Sequence, residues 1–172
     1  MKLIITDQAE EKGWDAHDMW AFASSFGGLR VASGDDVKEV WLTSKLCEQD
    51  GFVYLEVPDD IIDGFIKLLK GRGISKPDKA SDEKEYVGAH ISVMYADETK
   101  RIQKKIREVG EEFDYTLDKM YMTEPDSWDA VKEVYFISVK SPQLEALRKK
   151  YGLSKKLNGH DFHITVAVRM RK

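Results

Sequence analysis

GAHISVMY, residues 88–95, and DFHITVAV, residues 161–168, each place a histidine two positions ahead of a hydroxyl residue inside an apolar, β-branched run. Runs of this type read as strands. Side chains at i and i+2 of a strand point to the same face. His90 and Ser92 therefore share a face, and by plain alternation so do His163, Thr165, Ala167 and Arg169. A lone histidine in such a run would read as a satisfied core residue. Two of the chain's four histidines in the same setting call for another explanation.

Working outward, the segments before the two motifs match. VWLTS (40–44), FVYLEVPDDIIDGFIKLLKGRG (52–73) and AHISVMY (89–95) line up with MYMTE (120–124), VYFISVKSPQLEALRKKYG (134–152) and FHITVAV (162–168). Each series reads strand, strand, helix, strand, with the histidine on the last strand. Repetition on this scale predicts two similar lobes related by a pseudo-twofold axis. The whole chain, 1–172, reads as one domain: an N-terminal extension (1–36), a first motif half (37–95) and a second motif half (96–172).

Strands are expected over 37–44, 51–57, 113–123 and 133–140. Pro58, Asp59 and Asp60 suit a first helical turn. Ile61, Ile62, Phe65, Leu68 and Leu69 then form one apolar face before Gly71. Ile102, Ile106 and Val109 predict a helix over about 97–109, ended by Gly110. Ser141 followed by Pro142 opens a third helix as its N-cap. The polar stretch 75–86 reads as a solvated loop. In the extension, residues 2–6 suit an edge strand. Met19, Phe22, Ala23 and Phe26 have helical spacing up to Gly27, and Trp14, Trp20 and Phe26 read as core.

Composition narrows the classes. With 172 residues, 42% hydrophobic and 34% charged, the chain has the makeup of a soluble globular protein with a well-filled core. A net charge of −4 argues against wrapping duplex DNA through its phosphates, while leaving room for a local site for a small phosphorylated ligand. Cys47 is the single cysteine, so neither an internal disulfide nor a cysteine zinc site is available. MKLIITD is too short for a signal-peptide core, and no apolar run has the length of a membrane span. The expectation is a reduced, cytoplasmic setting with no membrane partner.

Two imidazoles on opposite sides of a phosphodiester form a complete acid–base set. One, neutral, takes a proton from the attacking oxygen, and the other, protonated, gives one to the leaving oxygen. Imidazole suits both tasks because its unperturbed pKa is about 6.5. The Ser92 and Thr165 hydroxyls can donate to the non-bridging oxygens. This chemistry requires no metal or other cofactor. Arg169, Lys155 and Lys156 are candidates for added positive charge, and Tyr54, Tyr95 or Phe162 for stacking on a base.

Other patterns fare worse. His160 and His163 have metal-ligand spacing only on a helix, and HITVAV is a strand sequence that would turn the two apart. KGRGIS follows a helix rather than a strand, so its glycines read as helix stops rather than a phosphate cradle. His17 reads as structural or exposed.

The paired HISV and HITV motifs on a duplicated chain resemble the 2H phosphoesterase superfamily, over roughly Val37 to Arg171. The resemblance implies an α+β fold: two pseudo-symmetric lobes of mostly antiparallel sheet, outer helices, and an active-site cleft between the lobes. It implies His90 and His163 as the catalytic pair and Ser92 and Thr165 as the phosphate-binding hydroxyls, with Tyr95, Arg169, Lys156 and Phe162 as candidate substrate contacts. The implied substrate is a nucleotide or RNA end carrying a 2′,3′-cyclic phosphate, or a 2′–5′ linkage. A cyclic di- or oligonucleotide signal is the nearest alternative substrate. A non-catalytic nucleotide- or RNA-binding module is the rival class, and the intact histidines oppose it, since binding alone would favour Arg and Lys.

Overall fold

The computed structural model describes residues 10–11, 30–31, 40–69, 73–77, 86–126 and 128–172. Their order is β1 (Glu10–Glu11), β2 (Arg30–Val31), β3 (Val40–Gln49), β4 (Phe52–Glu56), α1 (Asp59–Leu69), β5 (Ile74–Ser75), β6 (His90–Met94), α2 (Ala96–Ile102), β7 (Glu112–Thr123), β8 (Val131–Lys140), α3 (Pro142–Lys150) and β9 (Phe162–Met170). The fold is α+β, and every strand pairing described is antiparallel. No helix among the described residues is long and apolar enough to cross a membrane.

The duplication predicted from the repeat is visible in the strand order β7-β8-β9-β6-β4-β3. Each half contributes three strands, and the two motif strands, β6 and β9, meet in the middle. The halves join a second time at the far side. Residues 46–49 of β3 pair with β4. Residues 42–45 of the same strand turn to β7, from Leu42 opposite Tyr115 to Lys45 opposite Glu112, so the six strands close on themselves. The short strands β1 and β2 lie against β7 and β3, and β5 lies against β9.

One apolar face of this sheet carries the core. Ile91, Ile137 and Ile164 pack there with Ile61, Ile62 and Phe65 of α1 and Leu144 and Leu147 of α3. Burial of each such side chain contributes about 1.5–3 kcal/mol, which fixes which face of β6 and β9 is left for solvent. The helices begin as their sequences dictate. Asp59 and Asp60 occupy the first turn of α1, and the Asp59 carboxylate also accepts from the Ala89 amide at 3.0 Å, tying α1 to the start of β6. Ser141 caps α3, its Oγ accepting from the Leu144 amide at 3.2 Å.

Two expectations need correction. The helix predicted over 97–109 stops at Ile102, because Gln103 turns left-handed with φ 53°. The following segment is drawn onto β3 instead: the Gly110 amide donates to the Leu46 carbonyl at 2.8 Å, and the Leu46 amide to the Glu111 carbonyl at 2.8 Å. Ile106 still reaches the core from this turn. The 75–86 loop also begins too early, since Ser75 belongs to β5 and pairs with Val168. The expected strand at 2–6, the helix around 19–26, His17 and the aromatics Trp14, Trp20 and Phe26 lie outside the described residues.

Candidate active site

Between β6 and β9 the ladder pair is Ile91 with Ile164. Both isoleucines are fully buried, so their neighbours point to the opposite, solvent face. Antiparallel register then sets His90 beside Thr165 and Ser92 beside His163. Two imidazoles and two hydroxyls therefore form a compact patch across the seam between the halves. All four are half-buried.

Both rings are held the same way. His90 Nδ1 lies 2.7 Å from the Gly88 carbonyl and His163 Nδ1 lies 3.1 Å from the Asp161 carbonyl, each two residues earlier in the chain. A carbonyl only accepts, so Nδ1 carries the proton and donates, leaving Nε2 as the atom presented to a ligand. The left-handed φ of 83° at Gly88 suits a glycine at the turn that supplies the first acceptor.

The flanking strands extend the symmetry. On β4, Glu56 faces His90, Leu55 faces Ile91 and Tyr54 faces Ser92. On β8, Ser138 faces His163, Ile137 faces Ile164 and Phe136 faces Thr165. Each motif strand then carries one extra residue, Val93 or Val166, and the ladders resume with Val53 opposite Met94 and Tyr135 opposite Ala167. These are β-bulges, which shift the alternation of every side chain beyond them.

That shift decides two of the candidate contacts. Tyr95 would face away from His90 by plain alternation; the bulge brings it to the site face, where its ring stacks on Phe52 at 6.2 Å. Arg169 would face the site by the same count, and the bulge at Val166 turns it away. Its Nε lies 3.2 Å from Glu133 Oε2, and Nη2 lies 3.4 Å from the Tyr135 hydroxyl. Arg169 thus pairs with Glu133 and Tyr135 on the face opposite the histidines. Phe162 is 4% exposed and packs in the core.

Aromatic rings flank both histidines. Phe52 and Tyr54 stack at 5.3 Å and meet the His90 ring edge-on at 5.5 and 5.9 Å. Phe136 stacks on Tyr121 at 5.4 Å and meets the His163 ring edge-on at 5.4 Å. Of these, Phe52, Phe136 and Tyr121 escaped the sequence reading. The signal was present in the strand alternation, but only the cross-strand register shows which of them lie beside the histidines. Lys156 pairs with Asp161 Oδ1 at 2.9 Å and Lys155 with Glu145 at 2.9 Å. Both lysines rim a pocket of about 400 Å³ with Lys140, Ser138 and Phe162.

Burial lowers both imidazole pKa values. His90 falls below its usual value because of desolvation, partly offset by the Gly88 carbonyl. His163 drops to about 4: desolvation dominates, the Asp161 carbonyl opposes it, and repulsion from His90 and His160 adds to it. The Tyr95 hydroxyl, desolvated and near Glu98, is pushed up to about 12 and stays neutral. Among the described residues no group of three or more His, Cys, Asp or Glu side chains is placed to hold a metal ion.

A family model described as "Swiss Army Knife, 2H phosphoesterase domain" matches residues 53–172. The chain belongs to the 2H phosphoesterases. The match spans both histidine motifs and the second half entire, and it begins within β4 of the first. No curated protein and no solved structure gives a significant match. In this 2H phosphoesterase domain the two motif histidines lie on adjacent strands of one sheet, with a bulge directly after each hydroxyl residue.

Proposed function

We propose that this phosphoesterase hydrolyses 2′,3′-cyclic phosphates of nucleotides or RNA ends, or 2′–5′ linkages, by acid–base catalysis between His90 and His163. The observation that carries the reading is the Ile91–Ile164 register, which puts both imidazoles and both hydroxyls on one solvent face. His163, the more strongly held neutral, is the base: its Nε2 takes a proton from water as that water attacks phosphorus. His90, opposite the Glu56 carboxylate across the β4–β6 ladder, is the acid, giving its Nε2 proton to the departing ribose oxygen. Ser92 and Thr165 donate to the non-bridging oxygens as their charge grows. Phe52, Tyr54 and Tyr95 offer a stacking wall to a base on the His90 side. The acid and the base are both protein groups, so no step is routed through a metal.

The test is turnover of a panel of 2′,3′-cyclic mononucleotides, a 2′–5′ dinucleotide and cyclic di- and trinucleotides in EDTA, with His90→Ala and His163→Ala alongside. Hydrolysis of the first two classes that survives EDTA and is lost in both variants is the expected result. Preference for the cyclic di- or trinucleotides would move the assignment to signal cleavage. Binding without turnover would favour the non-catalytic module.

A further inference from the structure

Arg148, in α3, is 1% exposed. A guanidinium has five N–H donors, and here each has an acceptor. Nε donates to the Ser154 carbonyl at 2.6 Å. Nη1 donates to the Val93 carbonyl at 2.6 Å and Glu98 Oε2 at 3.0 Å. Nη2 donates to Glu98 Oε1 at 2.8 Å and the Lys156 carbonyl at 3.1 Å. Glu98, 5% exposed, accepts in addition from the Tyr95 amide at 3.0 Å.

These acceptors are not a random sample of the interior. Val93 is the bulge residue directly after Ser92. Tyr95 is the residue that this bulge delivers to the aromatic wall. Ser154 and Lys156 belong to the turn that leads into the second motif, where Lys156 pairs with Asp161, whose carbonyl accepts from His163 Nδ1. One buried guanidinium thus grips the chain just after the first motif and just before the second.

We infer that Arg148 and Glu98 form a positioning pair, which holds the Val93 bulge and the 154–156 turn in register so that Ser92 and His163 meet a single phosphate beside the Tyr95 ring. Neither residue touches substrate; they act through the backbone of the motif strands. A lysine at 148 would keep the charge but offer one compact ammonium in place of the planar fork, and so could not bridge both segments. A carboxamide at 98 would keep the shape and lose the charge.

The catalytic part of this inference rests on the phosphodiesterase reading, so the experiment has two readouts. Arg148→Lys, Glu98→Gln and the core variant Ile61→Val are compared well below their melting temperatures. The first readout is kcat and KM on a 2′,3′-cyclic nucleotide. The second is the NMR titration of the histidine ring protons, which needs no activity. Expected are a fall in kcat of at least tenfold for Arg148→Lys, a smaller fall for Glu98→Gln, and none for Ile61→Val. The His163 resonance, which faces His90, His160 and Asp161, is expected to titrate nearer 6.5 in Arg148→Lys as water gains access, and to stay put in Ile61→Val. If Arg148→Lys fails to fold, Glu98→Gln carries the test with the same two readouts. Ring titrations indistinguishable from wild type in both Arg148→Lys and Glu98→Gln would overturn the inference, as would losses of kcat no greater than that of Ile61→Val. Shifted titrations in a chain that turns over no substrate would keep the positioning pair and reject the phosphodiesterase reading.

Discussion

The two motif strands are near copies in backbone and unlike in surroundings. Both run histidine, buried isoleucine, hydroxyl, bulged valine, with the ring held through Nδ1 by the carbonyl two residues before it. What stands across the ladder differs. His90 faces Glu56, an exposed carboxylate, whereas His163 faces Ser138, whose hydroxyl is occupied by the Lys119 backbone at 3.1 and 3.3 Å. His163 also lies within reach of the charge on His160. The two imidazoles share one backbone setting, and what separates them is the charge of His90 and His160 felt at His163. An acid–base pair acts in the form in which one imidazole is protonated and the other neutral.

The comparison breaks most directly at the histidines. His90→Ala and His163→Ala should each lower kcat by about 10²- to 10⁴-fold, the usual worth of a positioned acid or base, measured with EDTA present. Equal losses with identical pH profiles would erase the difference between the halves. The hydroxyls come next. Ser92→Ala and Thr165→Val each remove one donor to the phosphoryl oxygens, worth about 10²-fold in kcat by analogy with other oxyanion donors, with similar effects expected from the two sides.

Smaller effects sharpen the comparison at the aromatic walls. Phe52→Ala should raise KM by about fivefold to a hundredfold if a base stacks there, with little change in melting temperature, since Phe52 is only partly buried. Phe136→Ala should instead act on stability, costing about 3–5 kcal/mol as a large buried aromatic, because that ring is 5% exposed. Denaturant titration beside steady-state kinetics separates the two. Smallest of all, Arg169→Met should leave kcat and KM within about twofold of wild type, since this side chain pairs with Glu133 on the face away from the histidines. A large rise in KM there would restore Arg169 to the substrate site.

Stability should also depend on pH in a definite direction. The folded-state pKa of His163, about 4, lies below the unfolded value of about 6.5. The folded state therefore favours the neutral ring. This contribution is undiminished at high pH and is lost as pH falls from about 6.5 towards 4, so the melting temperature should decline across that window. His163→Gln, which cannot titrate, should flatten part of the decline.

How far the sequence could be read depended on parity. The duplication, the α+β class, the order of elements within each half and the shared face of His90, Ser92, His163 and Thr165 all follow from short-range alternation and turn signals. That alternation holds only until a bulge. Val93 and Val166 carry no local mark that distinguishes them from ordinary strand valines, so plain alternation set Arg169 on the histidine face, whereas Tyr95, named as a stacking candidate, reaches that face only through the bulge. Arg148 was hidden for a related reason. An arginine beside Leu147 in an amphipathic helix looks solvent-facing until the carbonyls of Val93, Ser154 and Lys156 are seen converging on it. Ile102, Ile106 and Val109 mimicked one helix because a turn can also bury Ile106 against the core.

The most direct test of the central claim is the pH dependence of kcat/KM for the wild type, His90→Ala and His163→Ala on a 2′,3′-cyclic nucleotide. With both imidazoles depressed, the wild-type profile should be a bell on the acidic side of neutrality. It should fall below about 4, as the His163 base becomes protonated, and fall again at a pH below about 6.5, as the His90 acid loses its proton. His163→Ala should abolish the low-pH limb and His90→Ala the high-pH limb. A bell that survives in either variant, or limbs assigned the other way round, would contradict the division of labour between the two halves.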